Sequence, residues 1–151
     1  MAASNGINRL VRMVIAACLL TAQFAFADNG RLGLVMVTSV ASSIGTLNRH
    51  QIRKVYLGSP SDAINHPIQA LINRSDSLLY EMFLQKLLFM STKAYERHVR
   101  HLQPALGTVL PRDYRSESRL VDYLKSHPDS IAFMTARTAS QLPGLRVIAR
   151  L

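Results

Sequence analysis

"IQALINRSDSLLYEMFLQKLL", residues 68–88, joins a strand-length apolar run to an amphipathic helical pattern. Residues 68–73 form a short apolar run of strand length. After the turn Arg74-Ser75-Asp76-Ser77, the residues Leu79, Met82, Phe83, Leu87 and Met90 return at helical spacing, while Glu81, Gln85 and Lys86 fall on other faces. A strand that feeds a helix so directly, with the apolar stripe of the helix free to cover a sheet, is the building unit of an α/β protein. The same turn poses the functional question. Ser75 and Asp76 are helix-capping residue types, and a helix start beside an arginine is also a place where an anion is held.

The flanking sequence repeats the alternation. "LGLVMVTS" (32–39) reads as a buried strand and "ASSIGT" (41–46) as the loop that follows it. Asn48 then has the chemistry of an N-cap, Gln51 three residues on closes a capping box, and Gly58 ends the helix. "SPSDAINHP" (59–67) is turn material. Beyond the opening stretch, Ser91 or Thr92 caps a helix through "KAYERHVRHL" (93–102), and Pro104 and Gly107 loosen the chain up to Asp113. Ser116 caps "ESRLVDYLKSH" (117–127), Pro128 stops it, and "IAFMT" (131–135) reads as a third strand. A helical turn through "ARTAS" (136–140), a Pro143-Gly144 turn and a last strand "LRVIA" (145–149) complete the chain. No internal repeat or low-complexity segment interrupts this order.

The first 27 residues stand apart. They carry Arg9 and Arg12 but no acid, then a mainly apolar run over 13–20, then "AQFAFA" before Asp28, with Ala25 and Ala27 at the small-residue positions. That layout is a secretory signal peptide, 1–27, with cleavage expected after Ala27. Two rival readings are weaker. A membrane anchor needs about 20 apolar residues, and this run is broken by Thr21 and Gln23. Lipoprotein processing at Cys18 would normally be followed by a polar tether, whereas here the apolar run continues. Cleavage would leave 28–151, 124 residues without cysteine, holding 16 basic and nine acidic residues and a net charge of +7. That balance favours acidic partners, whether phosphate-bearing ligands, anionic membrane surfaces or an acidic protein face. With export expected, no nucleic acid partner is anticipated.

Several strings together resemble one family. "LNRHQIRKVYLG" (47–58) is similar to the L-S-x-x-x-[LI]-x-x-[IV]-[FY]-L-G stretch of small phosphate ABC transporter substrate-binding-like proteins, of the type 2 periplasmic binding protein superfamily. In the same order come a strand ending in Asn73-Arg74 and followed by Ser and a helix with an early Phe, then "FMSTKAYERH" (89–98), where that family carries GMS and an aromatic. Next is "SESRLVDYLKSHPDSIAFM" (116–134), where it carries a capped helix and P-G-x-I-G-Y. The resemblance runs from about Leu34 to Ile148. There are departures: the chain has no Trp, and Asp129, Ala132 and Phe133 replace Gly, Gly and Tyr. Full-length phosphate-binding proteins also carry an R-x-x-x-S-G-T-like turn; Arg74 resembles its beginning and Ser77, one position short, its first hydroxyl, and Leu78 and Leu79 then stand in place of its Gly and Thr. The resemblance implies an α/β fold, a single lobe of a type 2 periplasmic-binding-protein-like domain with a small mixed sheet flanked by helices. It implies a periplasmic, non-enzymatic binding role toward phosphate or a similar oxyanion for an ABC transporter.

The residues support a site of that kind on their own terms. A helix beginning near Ser75 or Asp76 exposes unpaired amides and the positive end of its dipole, Arg74 supplies a planar donor fork, and Ser75 and Ser77 supply hydroxyls. The competing reading is that Ser75 or Asp76 merely caps its own helix; the charge of Asp76 also competes with an anion, unless it accepts a proton from a protonated phosphate. Ser42, Ser43 and Thr46, in the loop after the first strand, are expected to face the same crevice, because ligands of open α/β sheets sit beyond the carboxyl ends of strands. Their alternative is ordinary bonding to their own backbone. His98 and His101 lie three apart on a helix without a third ligand, so no metal is expected, and no nucleophile elbow, Walker loop or dinucleotide fingerprint points to a cofactor or an enzyme. Arg97, Arg100, Arg112, Arg115 and Arg119 make the middle of the chain basic. They are a solvated face or a docking surface for a membrane transporter, a sensor protein or lipid headgroups. Receptors that capture solute close two lobes around it, and 124 residues make about one; two chains paired as a homo-oligomer would rebuild a cleft. The alternative function is an interaction module that keeps the lobe and binds no solute.

Overall fold

Asn48 begins the best-defined helix for a local reason. Its side chain accepts the Gln51 amide at 2.9 Å, and the Gln51 side chain accepts the Asn48 amide at 2.9 Å, so two orphan donors are satisfied reciprocally. The resulting helix, α1, spans Arg49–Tyr56 and is followed by Gly58 at φ 66°, the left-handed exit that glycine adopts without strain. A computed structural model of the chain describes residues 33–59, 67–102 and 109–151. The signal-peptide reading, most of the 59–67 turn and the Pro104–Gly107 region lie outside the described residues.

Five strands form one mixed sheet. They are β1 (Leu34–Ser39), β2 (Gln69–Asn73), β3 (Arg112–Tyr114), β4 (Ser130–Thr135) and β5 (Leu145–Arg150), in the order β3-β2-β4-β1-β5. β2 runs parallel to β3 and β4, whereas β1 runs antiparallel to β4 and β5. The helices after α1 are α2 (Ser77–Phe83), continued by a π-helical segment (Leu84–Leu88), then α3 (Thr92–His101), α4 (Glu117–Ser126) and α5 (Ala136–Gln141). Ser91, Ser116 and Thr135 cap α3, α4 and α5 through their side chains.

Strand alternation divides the core in two. On one face Leu34, Met36, Ala70, Ile72, Ile131 and Phe133 meet Ile52, Val55 and Tyr56 of α1, the apolar side of α2 and its π segment, and Tyr95 of α3. On the other, Val35, Val37, Leu71, Ala132 and Met134 meet Leu120 and Leu124 of α4. Phe83 stacks on Phe133 at 3.8 Å, and Tyr56 meets Phe83 edge-on at 4.7 Å. The Tyr56 hydroxyl donates to the Leu71 carbonyl at 2.9 Å, and the Tyr95 hydroxyl to the Tyr56 carbonyl at 2.9 Å, so both buried polar tips are satisfied.

Two local features depart from the expected pattern. The wider π turn brings Leu84 and Leu88 into the core with Leu87, while Met82 and Met90 stay half-buried. The segment then exits through Phe89, held at φ 56° and 73% exposed. A left-handed exit of this kind is one that glycine takes freely and phenylalanine takes at about 1–2 kcal/mol.

Candidate functional site

β2, β3 and β4 lie side by side and parallel, so their carboxyl ends make one rim of the sheet. Arg74 leaves β2 at that rim, its amide donating to the Tyr114 carbonyl of β3 at 2.8 Å. Its guanidinium is largely covered and already partnered. Nη1 donates to Glu96 Oε1 of α3 at 3.0 Å, Nε faces Asp113 Oδ2 of β3 at 3.3 Å, and Nη2 donates to the Tyr80 hydroxyl of α2 at 3.2 Å. The guanidinium carbon also lies 4.6 Å from the Tyr80 ring centre. Burial draws the Arg74 pKa down, but the Glu96 hydrogen bond and the Asp113 charge outweigh it and the pKa is raised. Burial also pushes the Tyr80 phenol up to about 12, although the Arg74 charge opposes this. Arg74 thus ties α2, α3 and β3 to the end of β2.

A pocket of about 350 Å³ opens beside this knot, lined by Ile72, Arg74, Tyr95, Glu96, Val99, Arg100 and Asp113. Two guanidinium groups and two carboxylates therefore share one wall. Arg100 is exposed and has no carboxylate in ion-pair range among the described residues.

The expected site residues divide. Asp76 caps α2, its carboxylate accepting the Leu79 amide at 3.1 Å. Ser75 donates its hydroxyl to Asn73 Oδ1 at 2.6 Å, and its amide donates to the same oxygen at 3.1 Å. Ser77, the first residue of α2, is exposed, as are Ser75 and Asp76. The turn is thus open to solvent, although two of its side chains are spent on local structure.

Ser42 and Ser43 are not brought to this rim. Because β1 is antiparallel to β4, the carboxyl end of β1 lies at the amino ends of the parallel strands: Ser39 pairs with Leu145, and Thr38 Oγ1 donates to the Ser130 carbonyl at 2.8 Å. The expectation of a crevice shared with Arg74 is corrected by strand direction. There the Ser42 hydroxyl accepts the Ile44 amide at 3.1 Å, and Arg146 donates to the Ser42 carbonyl at 3.1 Å and to the Ile44 carbonyl, which pins the loop. Ser43 is exposed. His98 spends Nε2 on the Leu57 carbonyl at 3.0 Å.

The sequence reading missed Glu96, Asp113, Tyr80 and the pocket role of Arg100. Only Tyr80, six residues after Arg74, lies near enough in sequence to have been noticed; Glu96 and Asp113 reach Arg74 through tertiary packing alone.

Solved structures share this fold. An ABC-type phosphate transport receptor from Vibrio cholerae superposes with a TM-score of 0.56 at 15% identity, over 77% of this chain and 45% of the receptor. The chain shares its fold with part of that receptor. PstS from Borrelia burgdorferi superposes with a TM-score of 0.52 at 17% identity, over 78% of this chain and 46% of its own length. The chain therefore spans less than half the length of either receptor. No protein-family model matches the sequence, and no curated protein is significantly similar to it. The expected fold class, a single lobe with a small mixed sheet flanked by helices, is the one observed.

Proposed function

We propose that the chain is an exported, non-enzymatic solute-binding-like protein that recognises phosphate or a related protonated oxyanion at the carboxyl rim of β2 and β3, in the service of a membrane transporter. The observation that carries the reading is the pocket beside Arg74. Export is supported by the secretory layout of residues 1–27, and the ligand class by two structural neighbours, a phosphate transport receptor and PstS.

The chemistry of the wall narrows the ligand. Arg100 and the open turn over 75–77 attract negative charge, while Glu96 and Asp113 repel an oxyanion unless it brings a proton for them to accept. Phosphate brings that proton near neutral pH and sulfate does not. Arg74 serves as the platform that orients both carboxylates. A ligand on one open lobe remains screened by water, so the expected dissociation constant is about 1 mM or weaker.

A second reading, an interaction module without solute, is favoured by one observation: the Arg74 cation is already matched by two carboxylates. Calorimetric titration separates the two. Saturable heat with phosphate, less with sulfate, and loss of both in Arg100→Ala support solute recognition. Silence with phosphate, sulfate and carboxylates, in a protein that melts cooperatively, leaves the interaction module.

A further inference from the structure

The charge of the chain is unevenly placed over the two helical layers. α1, the π segment and α3 cover the same face of the sheet, and their outer sides carry Arg49, Arg53, Lys54, Lys86, Lys93, Arg97 and Arg100. Among the described residues, the acids on that layer are Asp76, Glu81 and Glu96; Asp76 caps α2 and Glu96 is spent on Arg74. The opposite layer is less basic, with Arg112 (on Tyr123), Arg119, Lys125 and Arg137 against Glu117 and Asp122. Among the described residues, no carboxylate pairs with Arg49, Lys86, Lys93, Arg97 or Arg100.

Phe89 projects from the same layer. It is 73% exposed in a backbone conformation unfavourable for its side chain, and Arg53 lies 5.5 Å from its ring centre. An exposed aromatic ring with a guanidinium beside it, on a layer rich in cations, has the composition of an interfacial anchor: the ring enters the headgroup region while Lys and Arg meet lipid phosphates. We propose that this face docks on an anionic lipid bilayer, with Phe89 as the inserted side chain and the cations of α1, the π segment and α3 as the headgroup contacts.

A bilayer fits this surface better than a protein does. A stable protein interface needs about 800 Å² from each partner, with an apolar centre. Among the described residues, the exposed large apolar side chains of the α1, α2, π and α3 layer are Phe89 and, at the start of α2, Leu78. A bilayer needs no preformed apolar patch, because each surface cation adds about fivefold to the partition coefficient through the negative surface potential.

The test is co-sedimentation of the full chain with phosphatidylcholine vesicles, with and without phosphatidylglycerol. The apolar segment at 13–20 is common to every variant, so any binding through it is a constant background. Wild-type protein is expected to bind the phosphatidylglycerol vesicles more strongly, and less so as salt is raised. The triple substitution Lys86→Gln, Lys93→Gln and Arg97→Gln removes that preference by about 100-fold. Phe89→Gly relaxes the backbone and keeps the fold, so a drop in binding there reports the lost ring. Equal binding to both vesicle types overturns the proposal, as does a triple variant that binds like wild type. A site-specific crosslink from position 89 to a membrane protein, with no lipid preference, also overturns it and assigns the face to an acidic protein.

Discussion

Arg74→Met is the sharpest perturbation of the framework. The substitution keeps an apolar stem but removes a guanidinium that is 22% exposed and bound to Glu96, Asp113 and Tyr80. The carboxylates are 35% and 52% exposed, so each ion pair is screened and worth about 0.5 kcal/mol. The contact with the Tyr80 face adds about 0.5–1 kcal/mol, and the two acids are left facing one another at the end of β2. The sum is roughly 2 kcal/mol, which for a domain of this size lowers the melting temperature by about 8 °C. Thermal unfolding followed by circular dichroism measures it. A double-mutant cycle with Glu96→Gln should return a coupling of about 0.5–1 kcal/mol, because the two residues share one hydrogen bond. An unchanged melting temperature in Arg74→Met would refute the idea that this arginine is a structural tie.

Other outcomes follow from the same coordinates. Asn48→Ala removes the reciprocal cap of α1 and should cost about 1 kcal/mol by denaturant unfolding, whereas Asn48→Asp should cost much less. Phe83→Ala opens a cavity against Phe133 and Tyr56 and should destabilise by about 3–5 kcal/mol in the same assay. Alkali should unfold the chain in a defined window. Free tyrosine ionises near pH 10, whereas burial raises Tyr56 and Tyr95 strongly and Tyr80 to about 12. The folded state resists ionisation, so the stability from these groups is complete below about pH 10 and is lost as pH rises toward and beyond 12. Phenolate absorbance and circular dichroism should change together across that window; phenolate formation well before loss of structure would contradict the buried placement.

Much of the fold was legible because its punctuation is local. Asn48 with Gln51, Ser91 and Ser116 are caps whose hydrogen bonds involve residues three apart, and the apolar runs of β1, β2 and β4 are buried on both faces. β3 escaped notice because Arg112, Asp113 and Tyr114 form a short polar edge strand, which offers neither an apolar run nor clear alternation. Strand direction was also hidden. Periodicity marks β1 as a strand but says nothing of its sense, and that sense carries Ser42 and Ser43 to the far end of the sheet. At the rim, Arg74 was visible as a cation beside a helix start. Its partners were not, since Glu96 lies 22 residues on and Asp113 belongs to the strand that went unseen.

Titration of the isotope-labelled full chain with phosphate, read by backbone-amide magnetic resonance, tests the rim most directly. The account predicts saturable shifts clustered at residues 75–79, 96–100 and 113–116, half complete at about 1 mM or above, and smaller for sulfate. Shifts confined to other surfaces, or none at all, would contradict it.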